Sequence, residues 1–372
     1  MQAQFLQKVG QHTKSRLLGK LDLKSIEKCC LDLDLCYQLH KNDFPANNCR
    51  VELSISKTIS IRDSDAIDSY EFKECIRLRN FALEIVKSKI TVDANSQSLL
   101  SITVLANKRK NSDNDINDDY TPCSIEYKLT QDSLYLGARY NKLVRTLSQT
   151  PFFIKGQRKG DGSVSEVIGD YFTKLTGSPS SNMVSSGRED LDVRCLGRGR
   201  PFMLELLNPK NVDFDWNEHQ RLFNAKFGDL VHLQYLKAVD KSDSHIIKSG
   251  EETKSKYYEC EVEFTSEITE DEIVALNRLS LPLTIQQKTP MRVVHRRANL
   301  TRDKTIFDFK LTGNRMYLKT SAGMYIKEFI HGDCNRTKPS LRDLIKEYCE
   351  KDVYCDITNL DIMNVELEWP PL

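Results

Sequence analysis

Between Ser185 and Pro209 the chain reads Ser-Ser-Gly-Arg-Glu-Asp-Leu-Asp-Val-Arg-Cys-Leu-Gly-Arg-Gly-Arg-Pro-Phe-Met-Leu-Glu-Leu-Leu-Asn-Pro. Glu189, Asp190 and Asp192 stand among Arg188, Arg194, Arg198 and Arg200. Gly187 permits a sharp bend, because only glycine takes positive φ without a steric penalty. Guanidinium groups beside an acid on such a bend favour its ionised form. That form suits a nucleophile or base rather than a general acid. The same residues also read as an exposed, charge-alternating loop entering a strand over 201–207, and a bare Gly-Arg-Glu-Asp does not choose between the two readings.

Three other stretches carry chemistry. From Leu136 to Gly160 there are six basic residues and no acid, with Tyr140, Phe152 and Phe153 interleaved. Basic side chains among aromatics suit a nucleic-acid backbone and splayed bases, or else a solvated strand-to-loop face. Lys288, Arg292, Arg296 and Arg297 crowd positive charge around Gln287-Lys288-Thr289-Pro290-Met291-Arg292-Val293-Val294-His295-Arg296-Arg297. Such a cluster positions a phosphate backbone rather than reading bases. Lys254 to Val262 alternates like a strand, so Tyr257 and Tyr258 face opposite sides.

The segment Gly187-Arg188-Glu189-Asp190-x-Asp192-Val193-Arg194, followed by Gly199-Arg200-Pro201-Phe202 and Asn208-Pro209, resembles the catalytic segment of the tRNA pseudouridine synthase 10 family. Arg139-Tyr140-Asn141-Lys142 with Arg145 and Gln149-Thr150-Pro151, the run 287–297, and Gly323-Met324-Tyr325-Ile326-Lys327 match further family motifs in the same order. Lys256-Tyr257-Tyr258 resembles its Lys-x-Tyr segment. The resemblance implies isomerisation of uridine to pseudouridine in the T-loop of tRNA, at position 55 and sometimes 54, without cofactor or metal. Asp190 would be the catalytic aspartate and Tyr258 the residue stacked on the flipped base. Lys327 would pair with Asp190, with Arg188 as a weaker contributor. RNA contacts are expected from Arg139, Tyr140, Lys142, Arg145, Lys288, Arg292, His295, Arg296 and Arg297, with Tyr325 backing the site. His295 reads as structural or RNA-contacting, since no partner at triad spacing is visible. A non-catalytic RNA-binding protein on the same scaffold is the alternative. A methyltransferase or thiolation enzyme would need a nucleotide-cofactor loop, and neither a Gly-x-Gly-x-x-Gly nor a P-loop pattern occurs.

The elements that must position these residues follow from periodicity. The family implies an α+β chain: a pseudouridine synthase domain over 131–372, with a mixed, mostly antiparallel sheet, a central cleft and flanking helices. It also implies an N-terminal α/β THUMP-like RNA-binding domain over 1–130. Residues 51–55, 99–105 and 123–129 read as strands, 22–40 and 68–88 as helices, and 107–119 as a polar loop. In the second domain Leu134–Leu136 reads as a short strand, Ser163–Leu175 as an amphipathic helix, and Gly177–Ser186 as a loop. Helices are expected over 215–226, from a capping box at Thr269 through Leu279, and over 340–349. Thr312-Gly313-Asn314 signals a hairpin.

At 372 residues two domains are the expectation. A formal charge of +1 gives no global bias towards nucleic acid. No apolar run approaches the ~18–20 residues of a membrane span. Met1 to Lys20 lacks an apolar signal core but is basic without an acid, so an organellar address stays open. Eleven cysteines without Cys-x-x-Cys spacing suggest reduced thiols in cytoplasm or nucleus rather than the zinc pairs common in the family. Action on tRNA as a monomer is the expected mode.

Overall fold

The computed structural model describes residues 48–55, 91–92, 94, 96–106, 123–295 and 297–371. Two compact units divide the chain: Met1–Ser133 with Leu207–Val212, and Leu134–Leu206 with Asp213–Leu372. In the first, β1 (Asn48–Ile55) pairs in parallel with β2 (Thr91–Val92) and β3 (Ser98–Ala106), and β3 pairs antiparallel with β4 (Cys123–Gln131). Leu53 is buried between exposed Glu52 and Ser54, which is the alternation read from the sequence. The helices expected over 22–40 and 68–88, the loop over 107–119, and Cys29, Cys30, Cys36 and Cys75 lie outside the described residues.

The second unit opens with β5 (Leu134–Lys142) and four two-residue strands, β6 (Leu147–Ser148), β7 (Phe153–Ile154), β8 (Gln157–Arg158) and β9 (Gly162–Ser163). Helix α1 (Val164–Thr176) follows, then β10 (Ser180–Ser185), β11 (Arg194–Leu207), α2 (Trp216–Phe227) and β12 (Val231–Ala238). Next come α3 (Ser244–Thr253), β13 (Lys256–Phe264), α4 (Glu270–Leu276), β14 (Leu283–Lys288), β15 (Thr301–Thr312) and β16 (Arg315–Thr320). The unit closes with α5 (Ile326–His331), β17 (Thr337–Lys338), α6 (Leu341–Cys349) and β18 (Cys355–Val365).

One large mixed sheet runs β12-β5-β11-β18-β13-β16-β15-β14-β17, with β10 also paired to β11. β11 and β18 run parallel and β13 and β18 antiparallel, so β18 joins the two halves of the sheet. Side-chain caps start the helices where the sequence placed them. Ser163, Asp215, Thr269 and Ser340 each accept from a backbone N–H of the first turn. Ile168 and Phe172 of α1 and Phe223 of α2 pack into the main core, where the rings of Phe172 and Phe223 stack.

The structure lengthens β5 beyond Leu136. Gly137 to Lys142 continue the strand and are buried on both faces. Leu136, Ala138 and Tyr140 enter the core, while Arg139 lies on the other face, fully buried. Its guanidinium donates to the carbonyls of Arg198 (2.6 Å), Gly199 (3.0 Å), Val365 (2.9 Å) and Leu367 (2.7 Å), and to Asn364 Oδ1 (3.1 Å). Arg139 is therefore not an RNA contact: it stitches β5 to β11, to the end of β18 and to the chain just after it. Arg139→Ala should cost about 3–5 kcal/mol of stability in urea unfolding, because several buried carbonyls lose a charged donor together.

Candidate active site

The segment 186–193 hangs between β10 and β11 on a buried frame. Glu189 and Arg200 are both sealed from solvent, with Arg200 Nε 2.7 Å from Glu189 Oε2, an ion pair whose N–H is not aligned for a full hydrogen bond. Burial disfavours the Arg200 charge, but Glu189 together with the Tyr140, Cys195 and Tyr258 groups around it outweighs this and raises its pKa. Tyr140 donates its hydroxyl to Glu189 (2.8 Å). Buried Gln149 reaches the Tyr140 hydroxyl (2.8 Å), Ser185 Oγ (2.9 Å) and the Gly187 carbonyl (3.0 Å). Lys142, also sealed, donates from one ammonium to the carbonyls of Leu147, Asp190 and Leu191. Gly187 sits at φ +88°, and a Cβ there would come within 2.9 Å of Arg200 Nη1. Tyr140 and Lys142 thus hold the loop from behind, and the expectation that they touch RNA is corrected: neither has surface to offer.

The frame leaves Asp190 with a side chain 41% exposed, lining a cavity of about 360 Å³. Its closest cation is not Lys327. Arg292, on the turn after β14, donates from Nη1 to Asp190 Oδ2 at 2.8 Å and from Nε to Glu328 Oε1 at 2.7 Å. Lys327 donates to Asp192 at 2.7 Å and stands 3.9 Å from Asp190. Lys327 is therefore shared between two aspartates, and Arg292, expected on phosphate, takes the direct hydrogen bond to Asp190. Burial pushes the Asp192 carboxyl up, but the Lys327 hydrogen bond and charge pull it below its usual value. Arg188 is exposed on the cavity wall and forms no ion pair among the described residues.

Opposite the loop, Tyr258 of β13 lines the cavity and is otherwise buried, which pushes its phenol up to about 12. Tyr257 faces the other side of the sheet, donating to Glu366 and lying under Lys319. Lys256, one pleat from Tyr258, also lines the cavity. Burial, then the Arg200 charge, pulls its ammonium down to about 8, and it caps the last turn of α3 through the Glu251 and Lys254 carbonyls. Half-buried Tyr325 belongs to the same wall. Buried Gln287 clamps it, donating to the Tyr325 carbonyl and accepting from its N–H, both at 2.9 Å. Leu360 and Ile362 of β18 add apolar lining.

Of the remaining expected contacts, Arg297 also lines the cavity. Lys288, His295 and Arg297 are exposed, and Arg297 donates to the Tyr325 hydroxyl at 3.0 Å. Arg296 lies outside the described residues. Arg145 is occupied internally, pairing with Asp361 at 2.8 Å and donating to the carbonyls of Asp192 and Leu360. With 28% of its side chain still exposed, it joins the Asp190 loop to β18. Sequence reasoning missed Glu328, Lys256 and the clamping role of Gln149 and Gln287. Each glutamine opens a Gln-x-Pro or Gln-x-Thr-Pro run, a repeated signal that local periodicity does not weigh.

Two outcomes follow from this frame. Glu189→Ala leaves Arg200 buried without its counter-charge and should cost about 3–5 kcal/mol in denaturant unfolding. At Asp361, burial pushes the carboxyl up, but the hydrogen bond from Arg194 and the charges of Arg145 and Arg194 hold it below its usual value. A carboxyl depressed on folding stabilises above its unfolded pKa, about 4, and that stability is lost as pH falls through the folded value. Asp361→Asn should therefore destabilise at pH 7, with the difference from wild type closing as unfolding is repeated below pH 4.

The family model described as Pus10, C-terminal, matches residues 135–366. The tRNA pseudouridine synthase Pus10 of Mus musculus is 41% identical over 263 residues, covering 68% of this chain and 49% of that protein. That of Homo sapiens is 39% identical over 256 residues, covering 66% and 47%. That of Methanopyrus kandleri is 34% identical over 262 residues, covering 65% and 60%. The chain spans about half the length of the vertebrate relatives it matches. Among solved structures, a Cbf5-Nop10-Gar1 complex aligns over 61% of this chain and 48% of that one, with 12% identity and a TM-score of 0.31, too low to carry an argument. The match over 135–366 encloses the Asp190 loop, Tyr258, Arg292 and Lys327, and the chain belongs to the tRNA pseudouridine synthase 10 family.

Proposed function

We propose that the protein isomerises uridine to pseudouridine in the T-loop of tRNA, with position 55 as the substrate and 54 as a second candidate, and that Asp190 is indispensable. One observation carries the reading: a carboxylate at the edge of a cavity, flanked by Arg292 and Lys327 and faced by a buried tyrosine. The names of the relatives support the substrate class. The reaction breaks the N1–C1′ bond of uridine, turns the base and joins C5 to C1′. The C5 proton is then lost and N1 is protonated, so the product is an isomer.

Asp190 would attack the sugar carbon or remove the 2′ proton, and both routes need the carboxylate beside the ribose. Arg292 and Lys327 would hold it there without rearrangement during the reaction. Tyr258 offers a ring for the detached uracil, and its raised phenol stays neutral at working pH. Val293, Met324, Leu360 and Ile362 would keep water from the intermediate. The target base must leave its stack to enter, which costs least for a uridine already in a loop. Of the basic residues singled out in the sequence, exposed Lys288, Arg297 and Arg188 would meet phosphates. Residues 1–130 are part of the proposal as an accessory THUMP-like RNA-binding domain.

Purified protein should convert T-loop uridine in a tRNA transcript. Asp190→Asn should lower the single-turnover rate by at least about a thousandfold while leaving tRNA binding within about threefold. An Asp190→Asn variant as fast as wild type would remove the aspartate from the mechanism.

A further inference from the structure

Helix α5 supplies two neighbouring residues of opposite sign, Lys327 and Glu328. Lys327 reaches the loop directly. Glu328 points inward with its side chain 2% exposed, on a helix whose other buried residues, Ile326, Phe329 and Ile330, belong to the core. Its Oε1 accepts from Arg292 Nε at 2.7 Å, while its buried Oε2 has no hydrogen-bond partner among the described residues. A buried carboxylate with one oxygen unmatched is costly, and an apolar side chain would serve the core better. The charge is therefore explained by its partner. Arg292 is not itself a core residue: its side chain is 40% exposed and its Nη1 lies 2.8 Å from Asp190.

Resting on the functional reading above, we infer that Glu328 is a positioning residue that acts through Arg292 on Asp190. A guanidinium is a rigid plane, so fixing the Nε edge on a buried acceptor also fixes where Nη1 points. Without Glu328, Arg292 is a long, half-exposed side chain free to turn towards an RNA phosphate. Asp190 would then keep only Lys327, which it shares with Asp192. The arrangement spends one unmatched buried oxygen on holding the aspartate in place before substrate arrives.

The test combines Glu328→Gln, which keeps the shape and removes the charge, with Arg292→Gln and the double variant, each checked for an unchanged unfolding midpoint. The Arg292 Nε–H resonance should exchange slowly in wild-type protein and lose that protection in Glu328→Gln. On a T-loop tRNA, kcat should fall by about 10–100-fold in either single variant, with KM within about twofold, and the double variant should fall no further. If Glu328→Gln does not fold, Arg292→Gln decides: a loss confined to kcat supports the inference, and a loss confined to KM makes Arg292 a phosphate contact and overturns it. Wild-type kcat in Glu328→Gln, an unaltered resonance, or multiplying losses in the double variant would each overturn it. Wild-type protein that forms no pseudouridine refutes the functional reading instead, while the resonance still decides whether Glu328 holds Arg292.

Discussion

The ion pair between Glu189 and Arg200 is the constraint on which the site depends. Both charges are out of water, so neither tolerates loss of the other. Glu189 directly precedes Asp190 in the chain. Anchoring one carboxylate inward turns the next outward, and the bend at Gly187 supplies the geometry. Tyr140, Gln149 and Lys142 then saturate the acceptors behind the loop. The exposed acid is held by backbone and buried side chains, none of which needs the substrate to be present. Preorganisation of this kind would serve the action on a sugar proposed for Asp190.

A second feature is the way cations are divided. Asp190 and Asp192 share Lys327, and Asp190 adds Arg292, which is itself tied to Glu328. Asp361 of β18 meanwhile gathers Arg145 and Arg194. These pairs join the loop to β14's following turn, to α5 and to β18. The cavity walls therefore come from parts of the sheet distant in sequence, joined by these pairs and by the core that Tyr258, Met324, Ile326, Leu360 and Ile362 share.

Much of the secondary structure was legible because it rests on local physics. Ser163, Thr269 and Ser340 announce helix starts through caps, and Gly313 marks the turn between β15 and β16. The Gly-Arg-Glu-Asp loop stood out through its crowding of charge, and it lines the cavity. Arg139, Tyr140 and Lys142 were misread for one reason: a basic stretch looks solvated unless the residues that bury it are known. Their partners lie far along the chain, at Glu189, Asp190 and Leu367. The pairing of Arg292 with Asp190 was hidden likewise, since spacing cannot tell a cation that meets a carboxylate from one that meets phosphate. Helix α3 and strand β14 were not anticipated. α3 is rich in polar residues, with only Ile247 and Gly250 buried, which leaves a faint periodic signal.

The burial of Arg139 also bears on the order in which the polypeptide can mature. Its acceptors at Asn364, Val365 and Leu367 leave the ribosome more than two hundred residues after it does. Until then that guanidinium lacks three of its five acceptors, although β5 already has the backbone ladder that pairs it with β11. Docking of the end of β18 and of Leu367 completes that shell, so the full burial of Arg139 waits for the last residues of its unit to be made.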